Sequence, residues 1–532
     1  METSRKTSLS LPFNLALVLA AASGFIALAY EILWARLFSF SSGSLASGFA
    51  AMLGGYLFGL AVGALFSRRW QGAGTQSSSW RVLSGLIVLS NVACFLIPPV
   101  ASWLVLGSSW LRIVPLILIS SALMGILLPL LCHLVISADN RAGARMSYIY
   151  LANIIGSGAG SLITGFVLTD WLRLWQIGSL LLIGGVLVSV ALTCFFKAAR
   201  PADWILWSAG LGLACASPFL HDGLYERLQM KDQYRPGYRF ERIIESRHGV
   251  ITVTATNHFV YGNGVYDGVI ETQMKPGSML IRPYFISALH QHPKEILVIG
   301  MSAGSWTEVL ANHPQAEKVT VVEIDPGYLT LAKEYPEVSG LLHNPKVEIH
   351  VDDGRRWLRR NPDRRFDVIV MNTSYYWREF TSALLSREFL TVIKSHLNPE
   401  GLAMWNCTGS ARAIRTGLEV FPHTMMVANN CVGSPSPLVP NRERWAEILR
   451  KYRLEGKPVF DLATSRGQQD FDQTISFMDT GFGDGCRLAN RQQMIQACGT
   501  ARIITDDNLG DEYIPTLGTL FHILLFNPKA AN

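Results

Sequence analysis

The sequence predicts a multi-pass α-helical membrane domain followed by a small β-hairpin domain and an α/β domain of alternating strands and helices. Three observations predict it. The 532 residues are 49% hydrophobic and only 16% charged, with a mean hydropathy of +0.24, too apolar for an average soluble chain. The charge is unevenly spread: residues 1–220 hold 12 of the 46 Lys and Arg and 5 of the 40 Asp and Glu, so that part is net +7 and the rest, with 34 and 35, net −1. The charged part in turn carries short β-branched runs ending in Gly, Asp or Asn clusters, as in a sheet crossed by helices. This composition excludes disorder, collagen-like repeats and a small disulfide scaffold. The overall +6 is no nucleic-acid footprint, because it resides in the short gaps of the apolar part, where basic residues orient spans.

Residues 1–220 form the first domain. Uncharged runs at about 13–30, 45–66, 82–107, 113–136, 148–169 and 176–196 are each long enough to cross ~30 Å of hydrocarbon as a helix. A seventh run, 204–220, is short and carries Pro218, so six or seven spans are open. No cleavage signature follows the first run, and it is expected to stay in the mature protein. Arg5, Lys6, Arg68, Arg69, Arg81, Arg141, Arg145, Lys197 and Arg200 fall in alternate gaps, which predicts a cytoplasmic N-terminus in a bacterial inner membrane. If 204–220 does not span, the charged part is cytoplasmic too, which is the expectation adopted; if it spans, that part faces outward. Glycines 54, 55, 59 and 63, then 156, 158, 160 and 165, read as close helix packing. Glu31 is a membrane carboxylate and so a functional candidate, but Arg36 is near enough to make a structural ion pair an equal reading.

Residues 221–290 read as a connector and a small β domain, with strands at 250–254, 258–261 and 265–266 and a Gly262-Asn263-Gly264 turn. Residues 291–410 carry the pattern of a Rossmann-like unit. Strand Glu295 to Ile299 runs into Gly300-Met301-Ser302-Ala303-Gly304, a helix opens, and strand Val319 to Ile324 carries Glu323, 23 residues after Gly300. In such a unit the turn lets backbone approach a ligand, and the acid ending the second strand accepts ribose hydroxyls. Strands at 347–351, 366–371 and 402–405 follow, and the first two of these end in Asp352-Asp353-Gly354 and Asn372-Thr373-Ser374-Tyr375. Polar clusters at strand C-termini sit where open α/β sheets bind ligands, although helix capping is the bland alternative for the acids. Residues 411–532 read as a C-terminal α/β extension in which Asp506 and Asp507 either close over the pocket or cap a turn. The cysteines have no CxxC spacing and no metal-ligand set is expected; a disulfide among Cys407, Cys431, Cys486 and Cys498 would favour an outward-facing domain.

At these residues the segment from about 245 to 410 resembles the spermidine synthase family, polyamine aminopropyltransferases with a class I methyltransferase-like Rossmann domain. Tyr261-Gly-Asn-Gly-Val-Tyr-Asp-Gly268 resembles the family's β-hairpin, Val322 to Asp325 its ribose-binding acid, Asp353-Gly354 its adenine-side acid, and Leu385 to Phe389 the helix after the catalytic strand. The apolar part, through Tyr30-Glu31-Ile32-Leu33-Trp34-Ala35-Arg36, is similar to the membrane-fused bacterial branch. The resemblance implies a co-substrate, S-adenosylmethionine or its decarboxylated form, held by Gly300, Ser302, Gly304, Glu323, Asp325, Asp352, Asp353 and Gly354, with Tyr261, Asp267 and Glu271 on the acceptor side.

The departures fall on the chemistry. Where the family carries an acid-rich stretch after the fourth strand this chain has Asn372, Thr373, Ser374 and Tyr375; the acid of the glycine turn falls near Ala303; and a Tyr-His-Glu motif is replaced by Ile281 to Phe285. A dication needs anionic partners and an attacking amine must lose a proton, so these changes argue against plain putrescine as acceptor. Asn372, Tyr375 and Glu379 are the expected catalytic positions, with Asp267, Glu271 and His248 as further base candidates. The readings are aminopropyl transfer to a non-standard acceptor, an amine or lipid-associated molecule; methyl transfer from intact S-adenosylmethionine; or an adenosyl-sensing transporter without catalysis. Expected partners are the lipid bilayer, a small-molecule acceptor and a second copy in a homodimer, with no nucleic acid.

Overall fold

The computed structural model describes residues 11–70, 76–106, 109–197, 199–372, 375–483 and 486–512. Among the described residues six helices are long and apolar enough to cross a membrane: α1 (Phe13–Ser42), α2 (Ala46–Phe66), α3 (Gln76–Leu104), α4 (Val114–Val135), α5 (Ala142–Ile163) and, after the short α6 (Thr169–Trp171), α7 (Leu174–Phe195). Small residues let the helices pair closely. A Cβ on Gly59 or Gly63 would lie 1.9 Å from an atom of α4, and one on Gly156 or Gly160 within 2.3 Å of the α1 backbone. Gly54, Gly158 and Gly165 meet nothing within 4 Å, so only part of each glycine series is packing surface. Asn153 adds a hydrogen bond to the Ala20 carbonyl, 3.1 Å.

The seventh apolar run becomes α8 (Pro201–Cys215) and α9 (Ser217–Leu220), and it pairs antiparallel with α7. Trp207 Nε1 reaches Ser189 Oγ at 2.9 Å, Gly210 abuts Val186, Ser179 Oγ reaches the Ala214 carbonyl at 3.4 Å, and Ser217 Oγ the Trp175 carbonyl at 3.3 Å. The chain therefore returns along α7 to the end of the bundle where α1 finishes. α8 is shorter than a standard span, but it travels the length of its neighbour, so the C-terminal part begins beside the end of α1 and not beside its start.

The Glu31–Arg36 ion pair is also replaced. Arg36 donates to the carbonyls of Ser246 and of Gly249, the latter at 2.6 Å, and so ties α1 to the first sheet. Helix α10 (Leu224–Met230) leads into that sheet, four antiparallel strands β1 (Phe240–Ser246), β2 (Gly249–Thr254), β3 (Phe259–Gly262) and β4 (Val265–Val269) in order. The sequence reading missed β1, assigning it to the connector. The β3–β4 turn places Asn263 and Gly264 at φ of 49° and 76°, the positive values a tight hairpin demands. The turn docks on the bundle, with Ser44 Oγ donating to the Asn263 carbonyl at 3.2 Å.

After α11 (Ile281–Leu289) the second sheet begins. Its elements are β5 (Glu295–Ile299), α12 (Ser305–Ala311), β6 (Lys318–Glu323), α13 (Gly327–Glu334), α14 (Pro336–Ser339), β7 (Val347–Val351), α15 (Gly354–Arg360), β8 (Phe366–Met371), α16 (Arg387–Ser395) and β9 (Leu397–Asn406). Then come α17 (Ala411–Val420), β10 (His423–Val427), β11 (Asn430–Ser434), α18 (Arg442–Lys451), a two-residue ribbon β12 (Arg453–Leu454) and β13 (Lys457–Pro458), α19 (Ser465–Thr480), β14 (Leu488–Asn490) and α20 (Arg491–Cys498). The sheet runs β14-β10-β11-β9-β8-β5-β6-β7, parallel from β9 to β7 and antiparallel beyond. The C-terminal extension thus contributes strands to the same sheet, so no sheet boundary falls at 410. All eight cysteines are free thiols.

Candidate functional site

Strand register sets the site. Ile299 of β5 is paired with Val322 of β6 and Met371 of β8, and Met371 with Trp405 of β9. The next residues, Gly300, Glu323, Asn372 and Asn406, therefore stand in one row across the carboxyl edge. The connection after β5 leads to β6 on one side and the connection after its neighbour β8 leads to β9 on the other, which opens a crevice between β5 and β8.

The turn after β5 is built from positive φ: Gly300 at 84°, Ser302 at 53° and Gly304 at 82°. Glu323 pins it. Its Oε2 accepts from Met301 N at 2.6 Å and its Oε1 from Asp325 N at 2.8 Å. Burial pushes its carboxyl up to about 7 despite those backbone hydrogen bonds, and the Asp325 charge adds to the rise. Asp325 turns the other way, its Oδ1 accepting from Ser246 Oγ (2.9 Å) and Gly327 N (2.8 Å), so it joins the two sheets. Asp353 caps α15, accepting from Arg356 N at 2.7 Å. Asp352 bonds Asp353 N (2.7 Å) and Arg356; burial pushes its carboxyl up, and the Arg356 bond outweighs that to hold it below the usual range. Gly354 brings α15 against β5, where a Cβ would lie 2.5 Å from Ile299.

A cleft of about 810 Å³, open mouth included, lies over the turn. It is lined by Asp267, Ser302, Ala303, Asn372 and Tyr375 from the expected set and its neighbours, and by Tyr266, Met279, Arg282, Trp306, Asn406, Asn429 and Asn430, which sequence reasoning did not select. Glu323, Asp325, Asp352, Asp353, Gly354, Tyr261, Glu271 and Glu379 do not line it. Glu271 is taken by Lys275. Tyr261 packs edge-on against Tyr266. Glu379 is tied to the helical bundle through its backbone, its N–H donating to the Ser44 carbonyl at 2.7 Å, and burial raises its carboxyl, with Glu512 adding to the rise. Thr373 and Ser374 lie outside the described residues. His248 is on the β1–β2 turn, where its main-chain N–H donates to Ser246 Oγ.

Asp267 is the only acid lining the cleft among the described residues, and it is neutralised. Arg378 Nη1 sits 2.6 Å from its Oδ1, and the Tyr328 hydroxyl donates to its Oδ2. Its carbonyl accepts from Ser302 Oγ at 2.6 Å, which fastens the hairpin to the glycine turn. Tyr375 stacks on Trp377 with centroids 4.2 Å apart. The signal that would have found Arg282 was present: a lone cation inside Leu280-Ile281-Arg282-Pro283-Tyr284-Phe285, which would otherwise be a wholly apolar stretch. Asp506 does not close the cleft; it pairs with Arg355 and accepts from Ser386 Oγ at 2.7 Å. No group of three or more His, Cys, Asp or Glu among the described residues could hold a metal ion.

Known proteins resemble this part of the chain. Residues 285–408 match the family model described as Spermine/spermidine synthase domain. A polyamine aminopropyltransferase of Prochlorococcus marinus (strain MIT 9301) is 28% identical over 182 residues, 32% of this chain and 63% of the relative. One of Oceanobacillus iheyensis is 22% identical over 392 residues, 71% of this chain and 74% of the relative. Among solved structures, spermidine synthase from Thermotoga maritima aligns with a TM-score of 0.35 and 18% identity, over 44% of this chain and 84% of that one. Human methyltransferase-like protein 13 in complex with SAH aligns at 0.27 and 18%, over 39% and 94%. Attached to a long apolar helical part, residues 285–408 are thus similar to the spermine/spermidine synthase domain.

Proposed function

We propose that the protein is a membrane-bound transferase that binds an adenosyl-sulfonium donor at the carboxyl edge of the second sheet and transfers its aminopropyl group to an acceptor other than plain putrescine. The observation that carries this reading is the pinned turn: Gly300 to Gly304 at the crevice between β5 and β8, held by Glu323 from β6. Two oxygens of Glu323 already accept backbone N–H groups, and their remaining lone pairs suit the paired hydroxyls of a ribose. Asp353 and Gly354 suit the adenine side. The match of residues 285–408 to the synthase domain supports the same donor class.

In the transfer, the lone pair of the acceptor amine forms a C–N bond to the methylene carbon on sulfur. The C–S bond breaks with its electron pair going to sulfur, so the cationic sulfonium leaves as the neutral thioether 5′-methylthioadenosine. The new ammonium then loses one proton. Because the leaving group is intrinsically good, positioning and deprotonation are what the protein supplies. Tyr375 and Asn372 line the cleft and suit that role; Asp267, tied to Arg378, suits holding the hairpin more than holding a dication.

Methyl transfer from intact S-adenosylmethionine is a second reading, favoured by the absence of an unpaired acid lining the cleft among the described residues. Product analysis separates the two. Purified protein with either donor and an extract of candidate acceptors is expected to release methylthioadenosine; S-adenosylhomocysteine would establish methyl transfer instead, and neither product would favour a binding-only role.

A further inference from the structure

The cleft holds a buried cation that has no counter-ion among the described residues. Arg282 is 5% exposed and lines the cleft. Its Nη1 donates to the Met279 carbonyl at 3.0 Å, its Nη2 contacts Met279 Sδ at 3.0 Å and the Asn429 side-chain oxygen, and the guanidinium lies 5.7 Å from the Trp306 ring. All these partners are neutral, and Nε has none. A second buried donor lines the same cleft: Asn430, 2% exposed, has no partner for Nδ2. Burying a guanidinium unpaired is costly enough that proteins supply an anion, and two unused N–H donors in one cleft ask for an oxygen acceptor with several lone pairs. The one acid lining the cleft among the described residues cannot serve, since Asp267 is engaged by Arg378 and Tyr328.

We propose that Arg282, assisted by Asn430, is the receptor for a carboxylate on the bound ligand, so that this cleft selects a carboxylate-bearing molecule where a polyamine synthase would take a dication. The proposal rests on the reading of the cleft as the transfer site. The carboxylate has two chemical sources. On the donor, it is the amino-acid end of intact S-adenosylmethionine; on the acceptor, it is an α-amino acid with a second, reacting amine.

Ligand pairs that differ by one carboxylate test it. Binding of S-adenosylmethionine against its decarboxylated form, and of ornithine against 1,4-diaminobutane with methylthioadenosine present and absent, is measured by calorimetry on the full chain in detergent. The carboxylated member of at least one pair is expected to bind about tenfold or more tightly, as for a charge-assisted pair, and Arg282→Met to erase the preference. Asn429→Asp guards against a misfolded variant: it places a carboxylate where Arg282 already finds an oxygen, supplies the missing counter-ion internally and should erase the same preference with the fold intact. A preference in the first pair assigns the carboxylate to the donor, in the second to the acceptor. If neither pair discriminates, or if both variants keep the preference, the proposal is overturned. If no adenosyl compound binds, the transferase reading fails on its own, while the amine pair still judges Arg282.

Discussion

Glu323 does two jobs with one carboxylate. Ionised, it accepts the Met301 and Asp325 N–H groups that shape the turn; buried, it pays for that charge with a carboxyl pushed up to about 7. The folded state then holds a proton that the unfolded chain releases at about 4.5. Between these values folding binds more protons than unfolding, so this group's contribution to stability falls as pH rises through the window, by on the order of 3 kcal/mol. Thermal unfolding at about pH 5 and about pH 8 is expected to show a smaller pH difference in Glu323→Gln than in the parent; equal differences would mean Glu323 does not titrate in this range. Donor affinity should move oppositely, rising with pH as the ionised carboxylate becomes available to ribose hydroxyls, and the Gln variant should flatten that rise.

At the scale of elements, glycine-mediated packing makes a sharp contrast within one helix. A Cβ at Gly156 would lie 1.9 Å from the Ala21 carbonyl oxygen, whereas one at Gly158 meets nothing within 4 Å. Gly156→Leu is expected to cost about 2 kcal/mol or more by forcing α1 and α5 apart, and Gly158→Leu to cost little; comparable melting temperatures for the two would refute the packing. These two glycines were indistinguishable in the sequence, because spacing alone does not say which face of α5 meets α1. The strands of the Rossmann-like unit were legible, since Ile296-Leu297-Val298-Ile299 and Val319 to Glu323 are buried β-branched runs closed by turn chemistry. β1 was not: Phe-Glu-Arg-Ile-Ile-Glu-Ser is an edge strand whose exposed Glu241, Arg242 and Ile243 break the alternation. Asp325 and Glu379 were chosen for their charge, but their partners lie far away in sequence, at Ser246 and at Ser44 and Glu512, and no local pattern announces such contacts. Arg282 was visible only as an oddity, because what makes it notable is that none of its hydrogen-bond partners among the described residues is an acid.

At the scale of the molecule, the antiparallel return of α8 joins the site to the bundle end where α1 finishes. There Arg36 holds β2 and the turn before it, Ser44 holds the β3–β4 turn and the backbone of Glu379, and Leu174 N donates to Glu245 at 2.9 Å. The basic residues gather at the other end, at Arg68, Arg69, Arg141, Arg145 and Arg200. The positive-inside rule would make that end the cytoplasmic one, which predicts that the site faces outward. A membrane-impermeant maleimide is expected to label a cysteine introduced at the exposed Lys457, in a cysteine-free background, on intact spheroplasts. Protection there, with labelling only after lysis, would put the site beside the cytosolic donor pool and overturn the assignment. An outward site, by contrast, requires its donor to be delivered across the bilayer.

The central claim is that the pinned turn binds an adenosyl nucleoside. Calorimetric titration of the detergent-purified protein with S-adenosylmethionine, its decarboxylated form and methylthioadenosine, beside Glu323→Ala, tests it most directly. Binding of at least methylthioadenosine, weakened about tenfold or more in the variant, is the predicted result; no binding of any of the three, or equal binding by parent and variant, would contradict it.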